Sequence, residues 1–214
     1  MTHETLGLLT WLIPVPPLVA FFAILLFTRK VHAASHTLAI GGIGISLVLA
    51  QLIFWSVIGS GEALAKQPIN SVYAWMPTGT GVFNVGVMVD PLTAVMLFMV
   101  PIACFLIIFY STGYSNFNKP PDPHDHPGWP PHTGREPMYS RFFAFLSLFA
   151  AAMLGVVMAN SLLFLFICWE LVGFASYILI GFWYERPSAA AAAKKAFITT
   201  RVGDLGFFIG ILWL

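Results

Sequence analysis

Six apolar stretches, each long enough to cross a lipid bilayer, decide what this chain can fold into. A span needs about 20 mainly apolar residues, and the sequence supplies such runs at roughly 6–28, 37–59, 90–111, 142–159, 161–183 and 193–214. In hydrocarbon every backbone N–H and C=O must be paired internally, so runs of this length become helices. Composition agrees. Only 9% of the residues are charged and the mean hydropathy is +0.84, against about 25% charged residues in soluble domains. The expected fold class is all-α: a polytopic transmembrane bundle of about six helices. A net charge of +1 gives no field that would attract nucleic acid.

The remaining features sort around those spans. The first run lacks a basic start and is long enough to be retained rather than cleaved as a signal peptide. Cys104 and Cys168 both fall inside spans, which argues against a disulfide framework. Only "ANS" at 159–161 separates the fourth and fifth runs, predicting a tight helical hairpin. The sixth run reaches Leu214 without cap or tail, so the chain is expected to be a fragment of a longer protein. Its expected divisions are a three-helix region over 1–111, a loop over 112–141, and the truncated start of a repeat over 142–214.

Orientation follows from Lys and Arg. The joints after the first, third and fifth spans hold Arg29, Lys30, Lys119, Arg135, Arg141, Arg186, Lys194 and Lys195, and the opposite side holds Lys66 alone. The N-terminus is therefore expected outside and the basic joints in the cytoplasm or an equivalent compartment. On the outer side, "SVYAWMPTGTGVFNVGVMVDPLT" (71–93) has strand-like runs around a Thr/Gly/Pro turn and predicts a short β-hairpin. Asp90-Pro91 reads as an N-cap followed by Pro at the first helical position. On the inner side, "NKPPDPHDHPGWPPHTGREP" (118–137) gathers His124, Asp125, His126 and His132. Those groups suit a metal, but the spacing follows no zinc pattern and the prolines prevent a single helical face. A solvated irregular loop is the expectation, with no metal site.

The charges inside the spans carry the functional argument. Glu170 lies in "FICWELVGFASYILIGFW", where a charged residue at a helix centre costs on the order of 3 kcal/mol. Such residues face a protein interior or a wet cavity and tend to be functional. Gly173, Ser176 and Tyr177 follow near the same stripe. In "KKAFITTRVGD", Arg201 and Asp204 are three apart and able to pair, while Lys194 lies seven before Arg201 on the same face and Lys195 beside it. Proton transfer or charge coupling through Glu170, Lys195, Arg201 and Asp204, with Lys194 a weaker candidate, stands against two plainer readings: a structural ion pair, and lysines that snorkel to the interface. Coupled buried groups titrate together, as a proton relay requires. No nucleophile–base pair, phosphate loop, haem ligand set or cysteine cluster accompanies them.

At these residues the chain resembles a known family. "YSRFFAFLSLF" (139–149), "WELVGFASYILIGFWY" (169–184), "KKAFITTRVGDLGFF" (194–208) and "VMVDPLTAVML" (87–97) are similar to the largest antiporter-like membrane subunit of respiratory complex I, subunit L in bacteria and subunit 5 in mitochondria. The resemblance implies about fourteen or more helices with two inverted repeats, each offering a proton half-channel. Glu170 would match the family's essential glutamate, Arg201 and Asp204 its charged pair, and Lys195 the lysine of its "KAF". The partner lysine of the seventh helix, the second repeat and the lateral helix would lie beyond Leu214. NADH, FMN, iron–sulfur clusters and quinone would be handled by other subunits, with no cofactor in this chain. The partners implied are the other membrane-arm subunits, the adjacent antiporter-like one above all, and membrane lipid. A bacterial plasma membrane is the expected location, with an organelle's inner membrane as the other option. The loop at 118–137 is longer than the family's usual link. Mrp-type cation/proton antiporters carry similar elements and are the nearest rival, membrane-bound hydrogenases use related subunits, and a non-transporting scaffold is a further one.

Overall fold

A computed structural model describes residues 3–29, 31–59, 68–78 and 81–213. Lys30, Lys66, residues 79–80 of the expected hairpin turn and Leu214 fall outside them. The elements are α1 (His3–Leu12), α2 (Val15–Leu26), α3 (His32–Gly59), β1 (Ile69–Thr78), β2 (Gly81–Val89), α4 (Pro91–Tyr114), α5 (Tyr139–Met158), α6 (Leu162–Ile180) and α7 (Pro187–Trp213). Among the described residues six segments are long and apolar enough to cross a membrane, with α1 and α2 forming one of them as Thr5–Leu26. The fold is a helical membrane bundle with one two-stranded antiparallel sheet.

The first span differs from the continuous helix that its hydropathy predicts. It breaks at Ile13–Pro14 because Pro14, Pro16 and Pro17 have no N–H to donate and their rings crowd the preceding turn. The broken ladder is repaired locally. Ile13 N donates back to Thr10 O at 3.2 Å, and the Ile13 carbonyl, left without a donor by Pro17, accepts from the buried Ser46 hydroxyl at 2.5 Å. Ser46 thus ties the break to α3, where Gly42 allows the close approach. A Cβ there would lie 3.0 Å from both Ala20 Cβ and Pro16 O, the use of small residues expected where membrane helices meet.

Other boundaries shift modestly. α3 starts five residues before position 37, and α7 starts at Pro187 rather than 193, because Pro is favoured in a helix's first turn. α4 runs to Tyr114 and α5 starts at Tyr139, so the Pro-rich loop is shorter at both ends than 112–141. Asp90 caps α4, its Oδ1 accepting from Thr93 N at 2.6 Å. Ser161 caps α6 in the same way through Phe164 N at 3.2 Å, closing the predicted hairpin.

α5 is the central helix, packed against α2, α3, α4 and α6. Tyr139, Phe143, Leu154 and Met158 are fully enclosed on it. α7 packs against α6 and leaves Val202, Leu205 and Leu212 exposed at 61–70%.

The joints segregate to two ends. At one, the sheet docks on the α5–α6 turn: Asn160 N donates to Gly86 O at 2.9 Å, and Asn160 Nδ2 to Asn70 Oδ1 at 2.8 Å. At the other, the Pro-rich loop meets the α6–α7 joint, with Glu185 N donating to Gly128 O at 3.1 Å and Trp183 Nε1 to Glu136 Oε2 at 3.2 Å. Gly128, at φ +94°, has its Cβ position 2.5 Å from Glu185 Cγ, so only glycine permits this contact.

That loop is more ordered than a solvated link. Asp122 accepts from His124 N at 2.9 Å and Thr133 Oγ1 at 2.8 Å, and Asp125 accepts from His132 N at 2.9 Å. Its aspartates organise backbone, while His124, His126 and His132 are exposed. Among the described residues no group of three metal-ligating side chains comes together.

The loop's two best-placed acids respond oppositely to pH. The His124 backbone N–H, followed by the Thr133 hydroxyl, holds Asp122 below the usual carboxylate range. Burial pushes Glu136 above it, against the donors Trp183 and Met138 N and aided by the Asp125 charge. The Asp122 contribution is present at neutral pH and disappears as pH falls through its depressed value. The Glu136 contribution is full at acid pH and declines as pH rises through its raised value. Glu136→Gln keeps the neutral form. Hydrogen exchange over 116–137, corrected for intrinsic rates, is expected to quicken with rising pH in the parent and to lose that Glu136 component in the variant.

Candidate functional site: an ion-pair cluster between α6 and α7

Ser161 fixes where α6 begins, which places Glu170 about 12 Å along its axis from Leu162, well inside a hydrocarbon layer ~30 Å thick. α7 returns antiparallel beside it. Two neighbours on α6 grip two residues one turn apart on α7. The Glu170 carboxylate pairs through Oε2 with Arg201 Nη1, and Trp169 Nε1 donates to Asp204 Oδ1 at 2.9 Å. Arg201 also holds Asp204, Nη1 to Oδ2 at 3.4 Å, as the i, i+3 spacing predicts, and its Nη2 donates to the Glu170 carbonyl at 3.4 Å.

One guanidinium thus serves two carboxylates. With two acids and one base in contact, the triad carries one excess negative charge when all three are ionised. Arg201 Nε is buried without a partner. Its charge is also stabilised by the Phe197 ring one turn before it, 4.9 Å from Cζ to centroid. Gly173 lies beside the guanidinium, where a Cβ would meet Nη2 in ordinary contact at 3.5 Å.

The cluster stands between two cavities. One, of about 590 Å³, is lined by Trp169, Gly173, Ser176, Thr200 and Asp204 among others. The second, of about 640 Å³, is lined by Glu170, Phe174, Phe197 and Arg201 with apolar neighbours. The threonine, serine and carboxyl groups make the first the more polar of the two.

Of the residues singled out in the sequence, the structure brings together Glu170, Arg201 and Asp204. Lys194 and Lys195 do not join them. They are exposed near the start of α7, and among the described residues neither makes an ion pair. Trp169 and Phe197 escaped the sequence reading. Phe197 was detectable as an i, i+4 neighbour of Arg201, whereas the Trp169 contact needs the relative rotation of two helices.

Trp169→Phe removes the indole donor and keeps an aromatic ring. It is expected to weaken the α6–α7 pairing by about 0.6–2 kcal/mol, the range for interhelical hydrogen bonds in membranes, as a lower midpoint in a mixed-micelle unfolding titration.

The helices and the charged cluster define a polytopic integral membrane protein with ionisable groups paired across two neighbouring spans. Residues 75–115 match the family described as NADH-ubiquinone oxidoreductase (complex I), chain 5 N-terminus, and residues 159–214 match NADH:quinone oxidoreductase/Mrp antiporter, TM. Similar proteins include the chloroplastic NAD(P)H-quinone oxidoreductase subunit 5 of Mesostigma viride, 38% identical over 98% of this chain and 30% of the relative. Chain 5 of the enzyme from Synechocystis sp. is 39% identical over 99% of this chain and 29% of the relative. Subunit 5 of the organellar chromatophore of Paulinella chromatophora is 39% identical over 96% and 28%. The chain thus carries segments of the complex I chain 5 N-terminal and antiporter-like membrane domains and is similar to NAD(P)H-quinone oxidoreductase subunit 5 proteins, of whose length it spans about 30%.

Proposed function

We propose that this chain forms the N-terminal portion of a proton-translocating membrane subunit of an NAD(P)H-quinone oxidoreductase. The observation that carries the reading is the Glu170–Arg201–Asp204 cluster inside the span pair that matches the antiporter-like family. Glu170 takes and releases the proton. Arg201 sets its affinity by pairing with the ionised form, and Asp204 holds Arg201 when Glu170 is neutral. Ser176 and Thr200, lining the cavity beside Asp204, offer hydroxyls to an entering proton or water. Lys195, with Lys194, takes part in charge coupling towards the basic side rather than in direct contact with Glu170.

The partners are the other membrane-arm subunits, with the adjacent antiporter-like subunit foremost, and surrounding lipid. NAD(P)H oxidation, FMN, iron–sulfur clusters and quinone reduction belong to other subunits. The names of the relatives favour the oxidoreductase over the cation/proton antiporter. The basic ends of α2, α5 and α7 support placing that side in the cytoplasm or its equivalent and the sheet outside. A bacterial plasma membrane is the proposed location. Membrane fractionation tests it, and recovery with a plastid or photosynthetic membrane instead would overturn it.

Native mass spectrometry of the detergent-solubilised complex containing this sequence tests the assignment. Co-purification of NAD(P)H-oxidising and quinone-reducing subunits is expected. Recovery with small antiporter subunits alone would overturn it.

A further inference from the structure

A second feature lies at the basic end of the bundle, away from Glu170. The C-terminal end of α2, the first turn of α5 and the C-terminal end of α6 meet around a groove of about 240 Å³. Leu25, Met138, Phe145, Ile178 and Phe182 make its walls apolar, and Arg141 and Tyr184 stand on it. Arg141 is half-buried, yet its guanidinium is almost unspent. Its recorded contact is with Met138 Sδ at 3.8 Å, and among the described residues it makes no ion pair. Arg29 at the end of α2 adds charge of the same sign at this level. The helix faces beside the groove are apolar and bare: Leu26 is 71%, Phe27 81% and Ile180 45% exposed.

We propose that this groove binds an anionic phospholipid. Its headgroup phosphate pairs with the Arg141 guanidinium, whose planar fork suits two phosphate oxygens. The Tyr184 ring lines the same groove, and an acyl segment lies against Leu25, Phe145 and Ile178. The groove's depth selects a lipid over a soluble anion. It sits where spans end, the level at which headgroups and basic side chains meet, and its walls continue into apolar faces that are bare in this structure. Charge selects an anionic lipid, because among the described residues no carboxylate pairs with Arg141.

The test uses the intact complex exchanged into vesicles of phosphatidylcholine with phosphatidylglycerol, with retained lipid counted by native mass spectrometry. The parent is expected to retain phosphatidylglycerol in preference to phosphatidylcholine. Arg141→Gln should weaken that retention roughly five- to tenfold, from a loss of about 1 kcal/mol or more per basic contact. Ile178→Trp fills the groove without touching the charge and should weaken retention of either lipid there. Arg186→Gln, outside the groove, should behave as the parent. Undiminished retention in both groove variants would overturn the proposal, as would an equal loss in Arg186→Gln, which would mark unspecific surface charge. Displacement of the lipid by excess inorganic phosphate would assign the site to a free anion. A photo-crosslink from position 178 to a neighbouring subunit would assign it to protein. Either result overturns the lipid reading.

Discussion

Glu170→Gln, introduced into the assembled complex, is expected to leave assembly and NAD(P)H–quinone electron transfer largely intact and to abolish the proton transfer that passes through this subunit. Gln keeps the size of the side chain and can still accept from Arg201 through its carbonyl oxygen. It cannot bind and release a proton near neutral pH. Arg201 then has a full partner in Asp204 alone, at 3.4 Å, so the cationic side of the cluster stays neutralised and the helices stay paired. Proton uptake per electron in proteoliposomes, measured beside the NAD(P)H oxidation rate, separates the two effects. Unchanged stoichiometry would leave Glu170 as a purely structural partner of Arg201 and would favour the scaffold reading. Collapse of assembly along with pumping would mean that the charge, rather than its titration, is what the bundle needs. Glu170→Asp completes the series: a shorter acid keeps the proton but lengthens the reach to Arg201, so pumping is expected to fall without vanishing.

Much of the architecture was readable because bilayer thickness acts on composition. A run such as 91–114 can satisfy its backbone in hydrocarbon only as a helix, whatever its neighbours do. Local signals fixed several ends in the same way. Asp90 before Pro91 and Ser161 after the "AN" turn are caps whose donors lie three residues on, within reach of sequence reasoning. The sheet was readable from alternation, but its register was not: Thr78 pairs with Gly81 and Ile69 with Val89 only because the pairing slips by one residue at a bulge between Ala74 and Met76. The break at Pro14 was visible as three prolines, but hydropathy averages over them. That a buried serine 33 residues away would satisfy the freed carbonyl is a tertiary fact.

The site divides along the same line. Glu170, Arg201 and Asp204 stood out because charge inside a span is costly, and the Arg201–Asp204 spacing lies within one helix. The pairing of Glu170 with Arg201 depends on how α6 and α7 are rotated and registered against each other, which the turn at 181–186 and the loop clamped on Trp183 and Glu185 determine. Nothing in the two local sequences specifies that rotation. The lysines illustrate the converse: Lys194 shares a face with Arg201 by spacing, yet the pairing with α6 happens two turns deeper and leaves it exposed.

Arg201→Leu carries the larger structural penalty, and its size follows from the same geometry. Removing the guanidinium leaves Glu170 and Asp204 facing each other across the helix pair with no cation between them. Breaking a buried ion pair in this way costs about 3–5 kcal/mol. The low end applies here, since Arg201 and Glu170 retain 28% and 29% side-chain exposure, while Asp204, at 8%, suffers most. The expected result is separation of α7 from α6, read as faster hydrogen exchange over 194–204 and loss of the mature complex at lower detergent concentration than for the parent. Neutralising the acids decides the cause. Asp204→Asn with Glu170→Gln in the Arg201→Leu background removes the stranded charges, and recovery of assembly without pumping would show that the guanidinium balances charge. Failure to recover would mean instead that its packing over Phe197 and its hydrogen bond to the Glu170 carbonyl hold the helices. Arg201→Lys lies between these limits, for an ammonium supplies the charge but cannot bridge two carboxylates in the fixed plane of a guanidinium. It is therefore expected to assemble and to move protons slowly, because Asp204 and Glu170 must then compete for one point charge.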